Sequence, residues 1–150
     1  MATQWTAGTV SGQVLTAATL NTIGAEWVDY TPTLTQGVTV SKTTVVARYC
    51  QIQKTIIAQI VLGITSSGTS GSQVRVGLPI AGTNDRPVGS FLFFGGASHY
   101  GNKVGMALTN TTTTAGGFVQ DGTSNWFGVN PAFQLLNGDG LNLIITYEAA

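Results

Sequence analysis

A single histidine, His99, sits between Ser98 and Tyr100, and a single cysteine, Cys50, lies far from it in the chain. One histidine per chain leaves no His-based metal cluster. A Ser-His-Asp triad would have to recruit His99, and its neighbour Ser98 is placed by sequence adjacency, which is not triad geometry. The carboxylates are Glu26, Asp29, Asp85, Asp121, Asp139 and Glu148. Asp85, Asp121 and Asp139 each stand beside Gly or Asn, the setting of a turn residue. Acid catalysis at a glycosidic bond would need two of Asp85, Asp121, Asp139 and Glu148 to converge by folding. Asp121-Gly122-Thr123-Ser124-Asn125 alternates oxygen ligands like the start of a calcium loop, but the later bidentate glutamate is missing. Gly95-Gly96 precedes no GK[ST] sequence, so no phosphate loop is expected. Cys50 has no partner for a disulfide and reads as a small buried hydrophobe between Tyr49 and Ile52. We therefore expect no catalytic residue, no metal and no cofactor.

Aromatic residues in loop-like surroundings are the better candidates for recognition. Tyr100, Trp126 and Phe127, with His99, are the candidate surface-recognition set, since flat rings stack on sugar faces. The same rings also suit a β-fold that plugs its ends with aromatics, and both uses remain open.

The elements that must carry these residues fall into two alphabets. Residues 1–29 are polar and Gly-containing at first, with Trp5 as a lone large anchor. Thr16 is a plausible helix cap, and Ala17, Ala18, Leu20, Ile23 and Trp27 recur at spacings of three and four. The pattern predicts a short helix over about 17–28. So short a helix is marginal alone and must pack on something. Trp5, Leu15, Leu20, Ile23 and Trp27 are its expected attachment residues, toward a particle or sister subunits.

From Pro32 onward the apolar period is two. Strands are expected at Thr43–Ile52 and Thr55–Leu62, joined by a Gln53-Lys54 turn, then at Gln73–Leu78, Val88–Phe94, Lys103–Thr109, Gly117–Gln120, Trp126–Val129 and Leu141–Tyr147. Phe91, Phe93 and Phe94 can fill a core. Ser66–Gly71, residues 81–87 and Asn137–Gly140 carry turn chemistry, and the Thr111–Thr114 run suits an exposed strand or loop. The expected fold is mainly β, an antiparallel β-sandwich of jelly-roll type over 30–150, preceded by the short helical arm over 1–29.

Charge narrows the partners. Six basic and six acidic residues give a formal net charge of zero, and charged residues make up 8% of the chain. Clustered Lys and Arg, which a phosphate backbone requires, are absent, so nucleic acid is not an expected partner. No apolar run approaches the roughly 20 residues of a membrane span. The first residues lack the basic start and apolar core of a signal peptide, so any secretion is expected to need another route, such as lysis. So little charge on a chain that is 43% hydrophobic suggests a surface partly hidden in an assembly.

Leu15-Thr16-Ala17-Ala18-Thr19-Leu20-Asn21, with Trp27 and Tyr30-Thr31-Pro32-Thr33 behind it, resembles the start of short structural proteins of tailed bacteriophages. Arg48-Tyr49 with Ile52 and Lys54, Leu62-Gly63 with Thr65-Ser66-Ser67, Val74-Arg75-Val76 ending in Leu78-Pro79, and the closing Asn137-Gly138-Asp139 and Tyr147-Glu148-Ala149-Ala150 extend the resemblance in blocks over most of the chain. This sequence departs from the family at Thr19, where an acidic residue often completes a helix cap, and at Gln53, where Gly tends to precede the lysine. The resemblance implies a non-enzymatic virion surface protein, plausibly trimeric, assembled in the host cytoplasm and displayed on the outside of the particle. Residues 1–29 would face capsid or tail proteins, and head decoration, head fibre and small tail fibre all stay open. A carbohydrate-binding module that contacts host surface glycans is the alternative, and a depolymerase is a third class.

Overall fold

In Thr55–Ile64 every second residue is large and aliphatic, and a pleated strand sends such residues to one face. Ile56, Ala58, Ile60, Leu62 and Ile64 are all buried, while the residues between them are partly open. The computed structural model describes residues 26–83, 88–96, 101–121, 123–130 and 132–150. Within them the chain forms eleven strands. These are β1 (Val28–Asp29), β2 (Leu34–Gln36), β3 (Val38–Thr39), β4 (Lys42–Ile52), β5 (Thr55–Ile64) and β6 (Arg75–Gly77). They continue with β7 (Val88–Phe94), β8 (Lys103–Thr111), β9 (Thr114–Asp121), β10 (Thr123–Trp126) and β11 (Gly140–Glu148).

All are joined, antiparallel, in one sheet of order β1-β4-β5-β11-β7-β8-β9-β6-β2-β3, with β10 on the free half of β9. The expectation holds at the level of an antiparallel, mainly β fold. In place of two separate packed sheets, the hydrogen-bonded ladder runs unbroken and curls around one core. The helical arm is not supported. Trp27 is in irregular backbone and Val28 pairs with Tyr49 as a strand, so the end of the expected helix is already sheet. The remainder of that helix lies outside the described residues.

Register aligns the buried positions. Leu62, Ile60, Ala58 and Ile56 of β5 stand opposite Leu141, Leu143, Ile145 and Tyr147 of β11, and Phe93 and Phe91 of β7 stand opposite Leu141 and Leu143. Cross-strand apolar pairs of this kind hold a sheet together. Across the curl, Phe127 packs against Phe91 and Phe93 at 4.8 Å each and against Phe133 at 4.1 Å between ring centroids. Gly117 of β9 is the residue that admits Phe91, because a Cβ there would lie 2.6 Å from that ring. Phe133 and Leu135 come from a segment with no strand pattern, which the periodicity did not single out.

That irregular segment is held by a buried polar side chain. The Gln36 amide donates from Nε2 to the Phe133 carbonyl at 2.8 Å and accepts at Oε1 from the Leu135 N–H at 2.9 Å. Both are backbone groups that a buried loop must satisfy somewhere. Cys50 is buried, as expected of a small hydrophobe. The Gln53-Lys54 turn forms, with Gln53 at φ 54°, the left-handed backbone where Gly costs least.

Two tyrosines close one end of the curl. Tyr30, just after β1, donates its hydroxyl to the Gly77 carbonyl of β6 at 3.3 Å, which ties the first strand of the sheet order to one near its other end. Tyr147 donates to the Ile80 carbonyl at 2.8 Å. Burial pushes the Tyr147 phenol up to about 12 and raises that of Tyr30 further. A raised native pKa means the folded state keeps its proton where the unfolded chain, near 10, loses it. This stability is complete below pH about 10 and is lost as pH rises through 12. In an alkaline titration, the phenolate absorbance of Tyr30 and Tyr147 should therefore appear together with loss of the circular dichroism signal. Tyr147→Phe should lose less stability than wild type between those pH values; an equal loss would remove Tyr147 as the cause.

Candidate interaction face

Outward-facing residues of the central strands have an unusual composition. Val88–Phe94 is apolar on both faces, a pattern typical of strands covered on both sides. Phe91 and Phe93 point into the core, but Phe94, expected there too, points outward and is 40% exposed. Leu92 is outward as well and stands opposite Val104 of β8 on one side and Asn142 of β11 on the other. Val104 is 75% exposed, Met106 45% and Ile144 47%. Ser90 lies between Met106 and Ile144, and Val61 of β5 flanks Asn142.

The stripe continues to the far side of β9. Met106 pairs with Phe118, and Phe118 pairs with Trp126 of β10, their rings edge to face at 5.7 Å. Six adjacent strands, from β5 to β10, thus present an outer surface of Val61, Ile144, Leu92, Val104, Met106, Phe118 and Trp126, interrupted by the uncharged Ser90 and Asn142. With strands about 4.8 Å apart the stripe is roughly 25 Å wide, and at one to two outward residues per strand it covers on the order of 300 Å². A patch of this size is in the range of the largest apolar patch on an ordinary monomer, and such a patch is often functional. The physical drive is removal of apolar surface from water, at about 25 cal/mol per Å².

The residues singled out from sequence sort differently. Trp5, Leu15, Leu20, Ile23, His99 and Tyr100 lie outside the described residues. Trp27 is 44% exposed, and the Arg48 guanidinium sits 4.7 Å from its ring centroid, a cation–π contact that pins Trp27 to β4. Arg48 is held in turn by the Gln59 side-chain oxygen, to which Nε and Nη2 donate at 3.1 and 3.0 Å. Trp126 is half-buried at the border of the apolar stripe. Phe127 is a correction. It is 1% exposed at the centre of the aromatic core and cannot touch a surface ligand. Just past the end of β10 the chain turns Phe127 inward, onto Phe91, Phe93 and Phe133, while Trp126 stays on the outer side.

No protein-family model, curated protein or solved structure matches the chain.

Among the carboxylates, Asp139 is buried and accepts the Leu136 N–H at 2.9 Å, which makes it the fastening of the Asn137-Gly138 turn. Glu148 is exposed, 3.9 Å from Lys54 Nζ. The two sit at opposite ends of β11, about 30 Å apart at strand rise, so they do not share a cleft. Asp85 lies outside the described residues. Among the described residues, no three of His, Cys, Asp and Glu group to hold a metal, and no helix is long and apolar enough to cross a membrane.

The outer stripe was legible only in part. Val88–Phe94 shows its double-sided apolar character in sequence, but Val104, Met106, Phe118 and Ile144 are ordinary strand residues until register sets them side by side.

Proposed function

We propose that this protein is a non-enzymatic surface protein of a tailed-bacteriophage virion that works as a homo-oligomer, most simply a trimer. The observation that carries the reading is the charge-free apolar face across β5, β11, β7, β8, β9 and β10. Such a face on a chain with 8% charged residues is suited to permanent cover by other copies of itself. Its area is less than half of one side of a standard interface, which runs near 800 Å² per partner, so a polar rim completes the contact. The blocks of resemblance to phage structural proteins supply the biological setting. The residues ahead of β1 are the particle-facing segment in this reading, and the curled sheet, with Val28–Asp29 as its first strand, is the displayed body. Linked copies then convert weak individual contacts into avidity.

The test is a cryo-electron microscopy map of the virion whose genome encodes this chain. Density at capsid three-fold or hexamer-centre positions would establish decoration and point to the residues ahead of β1 as the anchor. Density at the tail would establish a fibre role, with the segments near Ser66–Gly71 and His99–Asn102 as host contacts. Absence from the particle would sink the virion reading.

A further inference from the structure

Beyond the apolar stripe, at the other end of the sheet, the β2–β3 hairpin and the approach to β6 enclose an open groove of about 630 Å³. Ligand sites commonly span about 300–1,000 Å³. We propose that this groove binds an acidic saccharide, with Arg75 taking its carboxylate.

The register builds the site. Thr35 stands opposite Thr39 on one side and Arg75 on the other, so Thr39, Thr35 and Arg75 form one row across three strands. Ser72 and Gln73 complete the polar lining. Hydroxyls and an amide both donate and accept, which suits a polyol. Arg75 is exposed and makes no ion pair among the described residues, and no lining residue is acidic. Its Nε donates to Gln73 Oε1 at 3.3 Å, which steadies the guanidinium and leaves its terminal nitrogens for a carboxylate fork. The Gln73 Nε2 is buried and has no acceptor in the protein. Beyond Gln73, the bare backbone of Gly116 forms a step: a Cβ there would lie 3.4 Å from Gln73 Nε2 and 3.6 Å from the Trp126 ring.

Other occupants fit less well. A single guanidinium does not make a phosphate-backbone track. The free edge of β3 is two residues long, too short to add a peptide strand of useful length. The inference does not depend on the virion reading, since it concerns the isolated chain.

The experiment is an amide chemical-shift titration of the purified full chain with oligogalacturonate and, as the neutral counterpart, a maltooligosaccharide of equal length. Shifts at Thr35, Thr39, Gln73 and Arg75 with the uronate alone are expected. Arg75→Gln should weaken that binding about 10-fold or more, the loss of a charged hydrogen-bonded pair. Arg75→Lys, which keeps the charge but not the fork, should fall between, and unchanged spectra of the free variants would confirm the fold. Equal binding of both sugars, an Arg75→Gln variant that binds like wild type, shifts mapping elsewhere, or no binding of oligogalacturonate would each overturn the proposal.

Discussion

Replacing Phe127 with alanine is expected to destabilise the protein by about 3–5 kcal/mol, the usual loss for a phenylalanine removed from a closed core. At this chain length that corresponds to a drop in Tm on the order of 10 °C. The reason is local. Phe127 touches the rings of Phe91, Phe93 and Phe133, which come from a central strand and from the irregular segment opposite it. No neighbouring element is free to collapse into the vacated space, because Phe133 and Leu135 are fixed through Gln36. Trp126→Ala, one residue away, should lower the melting temperature by only a few degrees, since its ring leans on Phe118 at a partly open surface. Thermal melts followed by far-ultraviolet circular dichroism decide the matter. A Phe127→Ala variant that melts like wild type would mean that the aromatic cluster is not the keystone of the curl.

The second large effect concerns assembly. A lysine at position 104 or 144 places an ammonium in the middle of the apolar stripe. Val104 and Ile144 are already 75% and 47% exposed in one copy, so the folded monomer tolerates the change. Once another copy covers the stripe, the charge is desolvated without a partner, at a cost of about 3 kcal/mol or more. The double change Val104→Lys with Ile144→Lys should therefore weaken self-association by at least about 100-fold. Sedimentation velocity over a concentration series reads this directly. Wild type should sediment as an oligomer and the variant as a monomer with an unchanged circular dichroism spectrum. A wild-type chain that stays monomeric at all concentrations would end the argument that copies cover this face. An oligomer that survives both lysines would place the contact elsewhere on the molecule.

The two surfaces have different characters, and that difference fits one organisation of the molecule. The apolar stripe offers area without charge or hydrogen-bonding direction, which favours a lasting contact. The groove at β2, β3 and β6 offers directional donors and one cation on an open surface, which favours a small polar ligand. Substitutions at Arg75 and at Val104 should each disturb one of the two.

Sequence alone determined the strands whose apolar residues alternate cleanly. Val88–Phe94 was delimited to the residue, and Thr55–Ile64 and Gly140–Glu148 were placed within two residues, because a half-buried strand must repeat every second residue. The Gln53-Lys54 turn and the turn role of Asp139 followed from equally local chemistry. Tertiary structure decided what local pattern does not contain. Periodicity of three and four at the end of the first segment suggested helix, but pairing with Tyr49 and Arg48 draws Val28–Asp29 into the sheet, since an edge of β4 satisfies backbone groups that a marginal helix end would leave to water. Phe127 read as a surface aromatic because its surroundings look like a loop; only the tertiary fold, which ends β10 at Trp126 and packs the next ring on Phe91, Phe93 and Phe133, separates the outward ring from the buried one. Gln36 had no signal at all, because its value lies in two carbonyl and amide groups almost a hundred residues away. The groove and the apolar stripe belong to the same category. Each is a row of residues from strands distant in sequence, and cross-strand register, not composition, brings them together.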